Sequence, residues 1–198
     1  MEKQAAIVGG GVIGGGWAAR IMLNGWDVRV FDPDPEAERK ITAVISNARA
    51  ALPGLTDVAL PDEGSLTLCG SIAEATKGAD FIVEAVPERL DIKHSVYAEI
   101  EVVNADGLIA SSTSGIMPTD LQAKMAHPER LIVGHPFNPV YLLPLVEVVP
   151  HPLCSEATRA LCFCLKKRLR ATARQTAMSS RLSIGAAPVA LESLARTV

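Results

Sequence analysis

Apolar residues in the first 150 positions fall into short continuous runs, separated by polar stretches that carry glycine or proline. Ala5 to Val8, Asp27 to Phe31, Leu66 to Cys69, Phe81 to Val86 and Leu108 to Ser111 have the length and composition of buried strands. Longer segments between them have helical character: Val12 to Asn24, Asp34 to about Ala51, a short one capped by Ser71 and ending near Gly78, and Asp91 to about Asn104. Asp34-Pro35-Glu36 reads as a cap, a proline at the first helical position and a first-turn acid, and Pro53-Gly54 as the stop. Farther along, Pro118 to Met125 looks helical, while Leu131 to Gly134 and Leu145 to Val149 look extended. Alternation on this scale predicts an α/β fold with a doubly wound, mostly parallel sheet. In such sheets ligands sit beyond the carboxyl ends of the strands. The loops after Val8, Phe31, Val86 and Ser111 should therefore meet at one crevice.

The turn after the first run sharpens this. Gly9, Gly11 and Gly14 have the G-x-G-x-x-G spacing, between a strand and the helix that opens at Val12 and Ile13. Gly9 permits a tight turn, Gly11 lets backbone approach a pyrophosphate, and Gly14 lets helix and strand pack closely. The anion would meet the free amides at the helix N-terminus. Alone, the spacing is weak, since glycines often mark only a turn. The second strand, however, ends in Asp32, eighteen residues past Gly14. A carboxylate there accepts hydrogen bonds from both ribose hydroxyls and repels a 2′-phosphate, which favours NAD over NADP. Gly9, Gly11, Val12, Ile13, Gly14 and Asp32 are the expected cofactor residues, on a sheet of Rossmann type.

Composition narrows the class. Hydrophobic residues make up 48% of the 198, enough for a core, and a net charge of −3 argues against a general nucleic-acid or anionic-membrane binder. No apolar run approaches the roughly 20 residues needed to span a membrane, and the strand expected just after Met1 leads to the expectation of no leader. Cys69, Cys154, Cys162 and Cys164 form neither a disulfide framework nor a complete metal set, so reduced thiols, no metal and a cytoplasmic location are expected.

A second informative stretch is Gly134-His135-Pro136-Phe137-Asn138-Pro139, followed by Leu145-Val146-Glu147-Val148. Near neutral pH a histidine can take a proton from an alcohol as hydride leaves for a nicotinamide. A carboxylate on its other nitrogen would fix the tautomer, and Glu147 is the nearest candidate. Spacing alone equally fits a satisfied strand-end histidine and an edge-strand acid. Ser111-Ser112-Thr113-Ser114-Gly115 puts hydroxyls at a strand end, as a substrate contact or simply as a turn and helix cap.

Taken together, the glycine turn, Asp32, Val83 to Glu88 with Lys93, the Ser-Thr-Ser segment and His135 to Asn138 through Glu147 occur in one order. In that order they resemble the NAD-binding domain of the 3-hydroxyacyl-CoA dehydrogenase superfamily, over roughly residues 3 to 160. The resemblance implies that His135 is the catalytic base and Glu147 its orienting partner. It also implies that Ser114 and Asn138 are polar contacts in the active site, and that Glu88 and Lys93 line the cofactor site near the nicotinamide-side ribose. Ser112, Gly115 and Pro136 depart from the acyl-CoA members, and the wording is more similar to the L-carnitine 3-dehydrogenase branch. That branch implies oxidation of a small 3-hydroxy acid, with Phe137 and Tyr141 either holding a trimethylammonium group or packing under the loop. L-Gulonate 3-dehydrogenase-like and acyl-CoA members are the alternatives.

The end of the chain breaks the pattern. Residues 165–198 carry seven Lys or Arg against the single acid Glu192, whereas the first 164 carry twelve basic and twenty-one acidic residues. The expected organisation is an NAD-binding domain over residues 1–164 and a basic, poorly packed tail over 165–198. Members of the superfamily instead continue into a helical domain that closes the substrate site and forms a homodimer. A truncated or frame-shifted product, binding NAD without turnover, is therefore the competing expectation.

Overall fold

The computed structural model describes residues 4–55, 59–143, 145–149 and 153–154. Its strands are β1 (Gln4–Val8), β2 (Asp27–Phe31), β3 (Leu66–Leu68), β4 (Phe81–Glu84), β5 (Leu108–Ser111), β6 (Leu131–Pro136) and β7 (Val146–Val149). The helices are α1 (Val12–Met22), α2 (Ala37–Ala51), α3 (Ile72–Thr76), α4 (Leu90–Val103) and α5 (Pro118–Gln122). The strands form one seven-stranded sheet in the order β3-β2-β1-β4-β5-β6-β7. All neighbours are parallel except β7, which runs antiparallel to β6.

The continuous apolar runs follow from burial on both faces. Along β1, Ala5 and Ile7 join a core with Trp17, Ile21, Ile41 and Ile45 of α1 and α2, while Ala6 and Val8 join one with Val96, Tyr97 and Ile100 of α4. Trp17 meets Phe81 edge to face, with ring centres 6.4 Å apart. The strand order reverses direction between β1 and β4, and this is where a doubly wound sheet opens its ligand crevice.

Several element boundaries differ from the sequence expectation, each for a local reason. α2 starts at Ala37: Asp34 Oδ1 accepts from the Glu36 amide and Asp34 O from the Ala37 amide, so Asp34-Pro35-Glu36 is a turn leading into the helix. At its other end the chain continues as a 3-10 turn through Pro53-Gly54 (Leu52–Leu55). α1 stops at Met22, closed by Gly25 with φ +81. β4 ends at Glu84, whose own carboxylate accepts from the Val86 amide and bends the chain away. Ser71 caps α3 as expected, accepting from the Glu74 amide. Among the described residues no helix is long and apolar enough to cross a membrane, and no three His, Cys, Asp or Glu side chains group to hold a metal ion. The expected basic tail, together with Cys162 and Cys164, lies outside the described residues.

Candidate active site and cofactor crevice

The loops at the carboxyl ends of the strands do converge. Gly9 follows β1 with φ +98, a conformation that L side chains rarely adopt, and its amide donates to Phe31 O at 2.9 Å. On the other side a Cβ at Gly9 would stand 2.6 Å from Ala85 O, so the turn is pressed against the end of β4. Gly14 is tighter still: a Cβ there would lie 1.7 Å from Gly9 O. A Cβ at Gly11 would meet nothing within 4 Å, so the backbone at the start of α1 faces open space. Gly11 caps α1 with no side-chain bond, which leaves first-turn amides available to an anion. Val12, at the same helix start, is 68% exposed.

Asp32 is pinned from two sides. Its Oδ2 accepts from the Gly10 amide at 2.5 Å and its Oδ1 from the Asp34 amide at 2.8 Å. The carboxylate is thus held beside the glycine turn before any ligand arrives. Pyrophosphate at Gly11 and a ribose at Asp32 are contacts this geometry can make.

Across the crevice, β6 and β7 pair so that His135 stands opposite Glu147. His135 Nδ1 lies 3.0 Å from Glu147 Oε2, with the imidazole about one-third exposed and the carboxylate more so. A proton on Nδ1 shared with the carboxylate leaves Nε2 with its lone pair, the tautomer that can act as a base. Both residues line a cavity of about 210 Å³, whose other wall is the stretch from Thr113 to Pro118, including Ser114. Val133, Ile116, Met117 and Val149 make much of the remaining surface apolar. Asn138 is exposed in the loop after β6 and is not among the cavity-lining residues. Phe137 is partly exposed, with its ring centre 6.0 Å from that of His135, whereas Tyr141 packs against the core.

The match to known proteins agrees with this geometry. The pattern of the family described as "3-hydroxyacyl-CoA dehydrogenase, NAD binding domain" fits residues 4–175. The chain belongs to this family. NAD is the cofactor such a domain binds, and the open face at Gly11 and the pinned Asp32 fit it. The L-carnitine dehydrogenase of Mesorhizobium japonicum is 61% identical over 149 residues, which cover 74% of this chain and 41% of that protein. The L-carnitine dehydrogenase/betainyl-CoA thioesterase of Ruegeria pomeroyi is 60% identical over 149 residues, covering 75% of this chain and 31% of that protein. The chain therefore spans less than half the length of these relatives. Among solved structures, (S)-3-hydroxybutyryl-CoA dehydrogenase from Ralstonia eutropha is 29% identical with a TM-score of 0.75, covering 85% of this chain and 61% of that one.

In this member of the family, the side chains behind the Ser-Thr-Ser segment are more involved than the sequence suggested. Glu88 Oε1 accepts from the Thr113 hydroxyl, from the Ser114 amide at 3.0 Å and from the Gly115 amide at 3.1 Å. Burial alone would raise the Glu88 carboxyl; the Thr113 hydroxyl, the two amides and nearby Lys93 outweigh it and hold the group below the usual carboxylate range. Lys93, expected to line the cofactor site, is only 1% exposed and sits 2.7 Å from Glu84 Oε1 and 3.3 Å from Glu88 Oε2. Glu84 is fully buried, and its Oε2 accepts from the Tyr97 and Ser111 hydroxyls, each at 2.6 Å. Burial and the adjacent Glu84 carboxylate push the Tyr97 phenol strongly upward, so it stays a donor. Glu84 was not expected as a site residue, and Thr113 only as one hydroxyl of the strand-end segment, with no part in holding Glu88. The available signal was one acid inside the apolar run Phe81 to Val86, which must find a partner if that run is buried.

Proposed function

We propose that the chain is the NAD-binding, base-bearing part of a dehydrogenase that oxidises a small 3-hydroxy acid to the 3-keto acid, with L-carnitine as the substrate. The observation that carries this reading is the His135–Glu147 pair at 3.0 Å, facing Ser114 across one cavity. Bound NAD supplies the acceptor for the hydride leaving the substrate carbon. The chain's own residues manage the proton. His135 Nε2 removes it from the substrate hydroxyl, Glu147 stabilises the imidazolium that results, and the Ser114 hydroxyl holds the oxygen as it becomes a carbonyl.

The choice of substrate rests on charge and on relatives. Among the described residues the cavity wall carries Glu147 and no Lys or Arg, which suits a cationic substrate better than the phosphate-bearing tail of a CoA ester. The partly exposed Phe137 offers a ring face beside His135 for a trimethylammonium group. The relatives at 60% and 61% identity are L-carnitine dehydrogenases by name. The homodimer and the cytoplasmic location belong to the same proposal. NADH formation, measured with L-carnitine, L-gulonate and a 3-hydroxyacyl-CoA, tests it. Where the chain's own turnover is too slow to read, it can replace the matching segment of the Mesorhizobium japonicum enzyme. Faster oxidation of the CoA ester than of L-carnitine would overturn the substrate assignment.

A further inference from the structure

The charged groups behind the cavity wall form one connected series. Tyr97 and Ser111 fix one oxygen of Glu84, and Lys93 takes the other at 2.7 Å. The same ammonium reaches Glu88 Oε2 at 3.3 Å, and Glu88 Oε1 gathers the Thr113 hydroxyl and the amides of Ser114 and Gly115. The Thr113 hydroxyl in turn accepts from the Ile116 amide at 3.1 Å. The stretch that presents Ser114 to His135 is therefore held by a side chain, and that side chain is held by a buried ion pair.

We propose that Glu84, Lys93 and Thr113 are positioning residues: acting through Glu88, they brace the 113–116 turn and so set where Ser114 stands relative to His135. Lys93 serves the site from behind the wall, with its ammonium directed at two carboxylates and at Val86 O, 3.5 Å away. The consequence for catalysis rests on the reaction assigned above. The brace itself can be read without substrate.

The test uses the whole chain and follows amide hydrogen exchange by NMR. Thr113→Val removes one donor to Glu88, while Thr113→Ser keeps it. The pair Glu84→Gln with Lys93→Met empties the series of charge at its far end without leaving one buried charge unpaired. Expected is exchange at the Ser114 and Gly115 amides faster by about tenfold in Thr113→Val and in the paired variant. Exchange along β1 should stay unchanged, and Thr113→Ser should restore the wild-type rates. In an active preparation the same variants should lower kcat for L-carnitine, again with rescue by Thr113→Ser. A general loss of stability would not give this local pattern. Unchanged exchange at both amides in Thr113→Val would overturn the brace even if the paired variant failed to fold. Faster exchange in Thr113→Val, together with no oxidation of any substrate by the wild-type segment placed in the Mesorhizobium japonicum enzyme, would support the brace while overturning the reaction.

Discussion

The two halves of the sheet solve different problems with different materials. On the side of β1 to β3 the ligand surface is made of backbone: a glycine turn, the first amides of α1 and one carboxylate that two amides hold in place. On the side of β4 to β7 it is made of side chains, with a histidine on a carboxylate and a turn held by Glu88 above a buried ion pair. A diphosphate is alike in every dinucleotide, so fixed amides suffice to hold it. A proton must change hands at a chosen atom, which calls for titratable groups whose partners set their state.

Breaking the side-chain half should give the largest effect. His135→Gln is expected to lower kcat by about 10² to 10⁴ with NAD affinity little changed, and Glu147→Gln to lower it by a smaller factor. Steady-state rates with calorimetry of NAD on the same samples decide this, and normal turnover in His135→Gln would remove the base. On the backbone half, Asp32→Ala should weaken NAD by about tenfold to a hundredfold and erase its advantage over NADP. Dissociation constants for both nucleotides measure it, and an unchanged preference would show that Asp32 reads no ribose. Gly14→Ala forces a methyl into the Gly9 carbonyl and should cost about 1–3 kcal/mol, seen as a fall of several degrees in Tm.

The smallest effect expected is on pH response. Glu88 is held below the ordinary carboxylate range, so its contribution is complete above the unfolded value of about 4.3. That contribution is lost as the pH falls through the lower, folded value. Exchange at Ser114 and Gly115 should therefore loosen, relative to β1, only below about pH 4.3. Loosening that began near neutrality would point to a group other than Glu88.

The same contrast explains what the sequence could show. Gly9, Gly11 and Gly14 are legible because their constraint is local, a strand, a turn and a helix start within one short stretch, and Asp32 because it ends the next strand at the spacing such a turn calls for. The strands themselves are legible because burial on both faces leaves continuous apolar runs. The partners of Glu84 are not, since Lys93, Tyr97 and Ser111 approach it only once α4 and β5 pack against β4. Nor does an extended run carry its own direction, so the antiparallel course of β7 follows from the structure alone. His135 and Glu147 could be nominated by chemistry and by resemblance, but spacing had nothing to say about whether they touch.

The pairing of β6 with β7 also sets where this site can tolerate insertions and deletions. His135 and Glu147 are direct cross-strand partners, so their contact is written in the ladder and not in the length of chain between them. Residues added to or removed from the loop between the strands leave the pair where it is. One residue gained or lost within either strand would put a neighbour opposite His135 and turn the carboxylate to the other face of the sheet. Change in length should therefore gather in the loop, while the two strands keep step with each other.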